Sequence, residues 1–304
     1  MEMDSLPKQA RMLTLETPQA LFVVIGIAYI AALITTFTQT DIATRLGIIF
    51  SMGLSWAVIF LSIVFIVSQR LHRTDIVDAA WGPTFIVATV ASFIAGAQTI
   101  GLNVQTLILL LVTIWGVRLS YVITRRLLTH PEDKRYVELR KHWRGSIALN
   151  TYGRIFFVQA VLASLVSLSA IYANASPATE IGIYAALGAV MWLIGFVFEA
   201  VADWQLKQFL KNKANRGTLM TSGLWRYTRH PNYFGEATQW LGIFLISCSC
   251  MYAWVGLLSP LLITYLLLCV SGVPITEKAF AGRKGWDEYK ARTSKFLPLP
   301  PRKV

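Results

Sequence analysis

The chain is dominated by apolar stretches of membrane-spanning length. Crossing ~30 Å of hydrocarbon takes roughly 20 helical residues. Stretches of that kind can be read at 20–37, 47–68, 79–97, 102–123, 155–173, 181–201, 234–252 and 255–272. The last two are nearly continuous. A single helix over both would run to about 58 Å at ~1.5 Å per residue, roughly twice the hydrocarbon core. Tyr252 and Trp254 at their junction are aromatics of the kind that favour a membrane interface. The reading therefore places a hairpin there.

Composition agrees. Hydrophobic residues make up 55% and charged ones 14%, against about 25% charge in a soluble domain. That excludes an ordinary water-soluble globule, and the apolar excess excludes intrinsic disorder. The expected fold is all-α, a polytopic membrane bundle of about 7–8 transmembrane helices. The net charge of +12 then has to be placed. Eight crossings put every one of the 28 Lys and Arg except Arg45 on a single face. By the positive-inside rule that face is cytoplasmic and holds both termini. Merging the last two spans would export all the cations of the tail. Glu2, Asp4, Lys8, Arg11 and Glu16 precede the first span without a compact basic region, so that span reads as an anchor.

Several chemistries find no support. Cys248, Cys250 and Cys269 lie inside spans and make no disulfide framework. His72, His130, His142 and His230 lack ligand spacing, so no metal site is expected. Neither a dinucleotide-type nor a phosphate-loop glycine motif is present.

The informative polar residues sit at the cytoplasmic ends of spans. Asp75 and Asp78 lead into the third, Arg118 ends the fourth, Glu199 and Asp203 close the sixth, Glu236 opens the seventh and Glu277 follows the eighth. Charges placed inside a bilayer cost ~2.5–3.5 kcal/mol on insertion scales, so they face a cavity or a partner. The alternative is a set of solvated helix ends with snorkelling side chains. Glu199 and Asp203, four apart on one helix face, repel and need cations or ligand hydroxyls between them.

The loop before the seventh span interleaves cations with aromatics. It reads Gly223-Leu-Trp225-Arg226-Tyr227-Thr-Arg229-His230-Pro-Asn232-Tyr233-Phe-Gly-Glu236. Arginines offer forked donors for phosphate. Trp225, Tyr227 and Tyr233 can stack on a flat heterocycle, and Asn232 with Glu236 can hold an amide edge. A helix begins after the proline, and its N-terminal end favours an anion. A nucleotide fits all of these parts, whereas attraction to anionic lipid accounts only for the cations.

This run resembles the steroid 5α-reductase-like superfamily of membrane proteins, most closely its bacterial-type branch. Three further stretches agree in order: Asp78-Ala-Ala-Trp81-Gly, Trp115-Gly-Val-Arg118-Leu and Phe198-Glu199-Ala-Val-Ala-Asp203-Trp204. So does the tail Trp286-Asp-Glu-Tyr289-Lys-Ala-Arg292. The resemblance covers about 75–300. It implies residues 1–74 as an N-terminal arm with two spans, and 75–304 as a reductase-like core with a cytoplasm-facing cofactor cavity. It further implies NADPH as cofactor and a hydrophobic or lipid substrate from the bilayer, with membrane lipids but no nucleic acid as partners. Carried over by position, Asn232 and Glu236 would hold the nicotinamide carboxamide and Tyr233 the nearby sugar and phosphate. Arg118, Arg216, Arg226 and Arg229 would be phosphate ligands, and Glu199, Asp203 and Lys207 would line the adenosine end. Tyr289 and Arg292 would close the cavity; His230 matches the motif without an assigned role. The sequence departs from the animal enzymes at Ala80-Trp81-Gly82 and at Trp115, where that family carries the residues associated with a substrate carbonyl. The departure bears on a 3-ketosteroid substrate, not on reductase chemistry.

The expected reaction is reduction of a carbon–carbon double bond conjugated to a carbonyl. A hydrogen-bond donor at the carbonyl oxygen contributes on the order of 3 kcal/mol; the candidates are a protonated Asp78, whose carboxyl burial would keep neutral, Trp81, Trp115 and Tyr121. The alternative is an integral-membrane S-adenosylmethionine-dependent methyltransferase of the isoprenylcysteine or phospholipid type. In it Glu236 and the aromatics would bind the sulfonium ligand, and Arg229 or Tyr233 would orient the acceptor. The number of arginines favours the ligand that carries phosphates. A third reading, a lipid-binding or channel-like protein, leaves Asn232 and Glu236 without a task. The expected location is a bacterial inner membrane or the endoplasmic reticulum.

Overall fold

The computed structural model describes residues 40–215 and 217–303, so the stretch read at 20–37 lies outside it. Contacts divide the chain into Met1–Thr44 and Arg45–Val304. The described residues form helices with two isolated bridges and no strand. In chain order they are α1 Thr40–Leu71, α2 Ile76–Ala95, α3 Val104–Leu127 and the short α4 Lys134–Lys141. Next come α5 Ile147–Val166, α6 Leu168–Ala175 and α7 Ile183–Lys211. The chain ends with α8 Pro231–Ser247, α9 Leu258–Tyr265 running on as a π turn, α10 Val273–Phe280 and α11 Trp286–Arg292. Among the described residues, six helices are long and apolar enough to cross a membrane. The seventh expected there, α8, has 17 residues.

The expected hairpin is present. α8 ends at Ser247, Tyr252 takes a left-handed conformation (φ 58°) and a 3₁₀ turn over Ala253–Leu257 leads into α9. α9 packs back against α8. Loops gather in two sets, as the parity of crossings requires. At one end Gln98 Nε2 donates to the carbonyls of Asn174 and Ser176, both at 2.8 Å, and the Tyr172 hydroxyl donates to Met251 O. At the other, Arg73 Nη1 donates to Leu127 O at 2.8 Å, and Arg140 pairs with Glu132 at 2.5 Å. The packed unit takes in α1 from Arg45 onward, since Ala57 and Leu61 pack with Val77, Ile155 and Phe156.

Close approach of backbones explains two contacts that order the bundle. α7 and α8 meet through glycines seven residues apart on each helix. A Cβ on Gly188 would lie 2.6 Å from Gly242 O, and one on Gly195 would lie 2.6 Å from Gly235 O. Small residues let membrane helices approach without a hydrophobic driving force. α2 and α3 meet at Gly82 and Gly116 in the same way. There Pro83, lacking an N–H, deprives Ala79 O of its helical donor. The Ser120 hydroxyl replaces it at 2.9 Å, which ties α3 to the weak point of α2. Behind this contact Phe85, Trp115 and Trp240 form a buried aromatic group with centroids 5.0–5.3 Å apart.

Candidate functional site

Glu199 and Asp203 lie one turn apart on α7, and the repulsion expected between them is resolved by a single cation. Arg118 on α3 forks between the two, with Nη1 on Glu199 and Nη2 on Asp203 Oδ2 at 2.5 Å. A planar guanidinium suits such two-armed pairing. Gln239 on α8 completes Glu199 with a hydrogen bond of 2.6 Å. Three helices thus close around one ionic group.

Beside it opens a cavity of about 420 Å³, within the ~300–1,000 Å³ range of small-molecule sites. Its polar floor carries Glu199, Asp203, Asn232, Tyr233 and Glu236. Glu236 is 8% exposed, faces the cavity, and makes no hydrogen bond or ion pair among the described residues. Such a buried carboxyl calls for a donor from a ligand. Pro231 at the first position of α8 fixes the direction of this turn. The opposite wall is apolar, with Leu162 of α5, and Ile263, Leu266, Leu267 and Val270 of α9 and its π turn.

At the third side stands a group the sequence reading had only half seen. Asp78 accepts a hydrogen bond from the Tyr136 hydroxyl at 2.5 Å and one from Arg135 Nη2 at 3.2 Å. All three line the cavity, as do Trp81 and Arg126. Tyr136 and Arg135 belong to α4, which is held by side chains. Asp133 N donates to Asp75 at 3.0 Å, and Arg140 bonds both Glu132 and Thr74. The hydrogen bond from Arg140 holds the Glu132 carboxyl below its ordinary value, against the opposing effect of burial.

The remaining residues singled out in the sequence lie elsewhere. Trp115 is buried in the aromatic group, its Nε1 without a hydrogen-bond acceptor, and it does not line the cavity. Tyr121 is 58% exposed, with Arg125 over its ring. Lys207, Arg226 and Tyr227 are exposed, and Arg292 pairs with Glu288 at 3.5 Å. Trp225 is buried, with Nε1 donating to Ala202 O at 3.2 Å. Tyr289 donates to Trp225 O at 2.5 Å, and burial raises its phenol above the ordinary range. Arg229 and His230 are buried against Glu277, and burial lowers the His230 imidazole. Arg216 lies outside the described residues. The sequence reading did not single out Arg126, Arg135, Tyr136 or Gln159, all on the cavity wall. The stretch Asp133-Lys-Arg135-Tyr136 carries the signal, an aromatic among cations, that drew attention to the run at 223–236.

Among curated proteins, the chain is similar to a "Probable O-methyltransferase ustE" of Ustilaginoidea virens, 33% identical over 107 residues. The match spans 35% of this chain and 36% of that protein, so the chain covers about a third of the length of this relative. No solved structure matches. A family model described as "Protein of unknown function (DUF1295)" matches residues 64–293, from the end of α1 to the tail after α11 and across every wall of the cavity. The chain belongs to the DUF1295 family.

Proposed function

We propose that this protein is a membrane-embedded oxidoreductase that reduces a carbon–carbon double bond, conjugated to a carbonyl, in a lipid-like substrate with NADPH. The observation that carries the reading is the cavity itself. It joins an unpartnered buried carboxyl and an amide on α8 to an apolar wall on α9, with Arg126 and Arg135 at one side. Glu236 and Asn232 offer the acceptor and amide that a carboxamide needs, and Tyr233 lies between them in sequence. The Arg126 guanidinium, on the cavity wall, makes no hydrogen bond or ion pair among the described residues and is assigned to an anionic group of the ligand. Arg118, by contrast, is held by Glu199 and Asp203. The resemblance of the 223–236 run to the steroid 5α-reductase-like superfamily supports the same assignment.

Bound there, the cofactor supplies hydride. The chain supplies the rest. Trp81 Nε1–H, on the cavity wall, is the donor assigned to a substrate oxygen that gains negative charge; the Tyr136 hydroxyl serves there only by turning its single hydrogen away from Asp78. Donors fixed in advance and aimed at developing charge are worth most where water is excluded. The α9 wall excludes it. The basic end of the bundle, with the loops around α4 and α11, is assigned to the cytoplasm.

A second reading is favoured by one finding, the methyltransferase name of the relative. S-Adenosylmethionine has an amino group and a sulfonium for Glu236 and one carboxylate for an arginine, but no phosphate. Titration of the detergent-solubilised protein separates the two. Micromolar NADPH binding that falls at least tenfold in Glu236→Gln and in Arg126→Ala supports the reductase. Stabilisation by S-adenosylmethionine and not by NADPH would replace it with the methyltransferase.

A further inference from the structure

Arg229 is the central cation of the run that resembles a cofactor motif, yet its guanidinium is used up by protein. The residue is 6% exposed. Nε donates to Glu277 Oε1 at 2.9 Å, Nη2 stands 2.8 Å from the same oxygen as an ion pair, and Nη1 donates to the carbonyls of Lys290 and Thr293 at 3.0 and 2.6 Å. Its backbone N–H donates to Ser294 O at 2.9 Å, and the guanidinium lies 5.7 Å from the Trp286 ring centroid. His230 Nε2 adds a 3.3 Å contact to the same Glu277 oxygen. A guanidinium has five N–H donors, and these bonds leave it no free edge for a phosphate.

Its acceptor leads back to the cavity. Glu277 lies on α10 next to Thr276, whose hydroxyl meets the Tyr233 hydroxyl at 3.1 Å. α10 begins directly after Ser271 and Gly272, which line the cavity as Tyr233 does. One arginine therefore connects the tail, α10 and the start of α8.

We propose that Arg229 is a positioning residue: paired with Glu277, it braces α10 and the C-terminal tail against the start of α8 and so sets Tyr233 and the Ser271–Gly272 wall. The proposal rests on the NADPH reading for its ligand but not for its geometry. A phosphate ligand and a brace respond differently when Glu277 is neutralised. Releasing a phosphate ligand from its carboxylate preserves or strengthens anion binding, whereas cutting a brace weakens binding as much as losing the arginine.

The test compares wild type, Arg229→Ala, Glu277→Gln and the double variant, with NADPH and NADH binding followed by nicotinamide fluorescence at low temperature. Each single variant is expected to lose about tenfold in affinity, about 1.4 kcal/mol. The double variant loses no more, and the preference for NADPH over NADH stays the same. If Glu277→Gln binds NADPH as well as wild type while Arg229→Ala loses the preference for the extra phosphate, the arginine is a ligand and the proposal fails. Variants that melt earlier but bind unchanged also overturn it. Should Arg229→Ala not fold, Glu277→Gln and Arg229→Lys carry the same comparison. Hydrogen exchange over 271–280 needs no ligand. It should quicken equally in both single variants, and unchanged exchange defeats the brace even if the cofactor is not NADPH.

Discussion

Arg118 and Arg229 each meet a carboxylate at a helix end, but the two regions around them are built for different ends. Around Arg118 the carboxylates outnumber the cation, and one of them, Glu236, is left over and faces open space. Around Arg229 one carboxylate and two backbone carbonyls occupy the guanidinium on both sides, and the residue is buried. A ligand can complete the first region and can only disturb the second. Spare hydrogen-bonding capacity, not the presence of arginine, marks the place where a small molecule belongs.

The comparison can be broken most forcefully at Arg118. Arg118→Ala leaves Glu199 and Asp203, 4% and 22% exposed at their side chains, facing each other without a cation. Removing one partner of a buried ion pair costs about 3–5 kcal/mol, so the variant should lose cooperative thermal unfolding in detergent. Adding Glu199→Gln and Asp203→Asn should restore most of it. Gly235→Ala comes next. Its Cβ would meet Glu199 N at 2.6 Å, the helices must part, and a loss of about 1–3 kcal/mol is expected for this overpacking. A melting temperature equal to wild type would show that α7 and α8 do not touch there.

Glu236→Gln sharpens the contrast, because it should leave stability nearly unchanged while ligand affinity falls at least tenfold. The smallest effect belongs to the loop side. With Glu132 held below its ordinary value by Arg140, its contribution to stability is fully present above the unfolded value near 4.5. It is lost as pH falls through the lower folded value. Glu132→Gln should remove up to ~1 kcal/mol at pH 7 and less at pH 4, read as a shrinking gap in melting temperature from wild type.

Much of the fold was legible because hydropathy is a local property. Each expected span from 47–68 onward falls on helix, 155–173 being divided between α5 and α6, and the turn at Tyr252 falls where length arithmetic required one. α8 is shorter than its apolar stretch, since Cys248 to Tyr252 are spent on the turn. The site was legible where side-chain direction follows from helix position, as for Asn232, Tyr233 and Glu236 on the first turns of α8. It was not legible where a side chain's partner is remote. Arg229 meets Glu277 across 48 residues, and no pattern near 229 announces it. Tyr136 stayed hidden for another reason. It lies among cations that count only toward the charge balance of the faces, and a phenol reaching Asp78 58 residues away leaves no trace in net charge.

The paired glycines of α7 and α8 separate what can vary from what cannot. Glu199 sits four residues past Gly195, and Glu236 one past Gly235. The distance between the two carboxyls is thereby set by backbone against backbone, with no side chain between to serve as an adjustable shim. Divergence toward other ligands must then work through the leucine-rich face of α9 and through tethered α4, where a changed side chain reshapes the room without shifting its foundation.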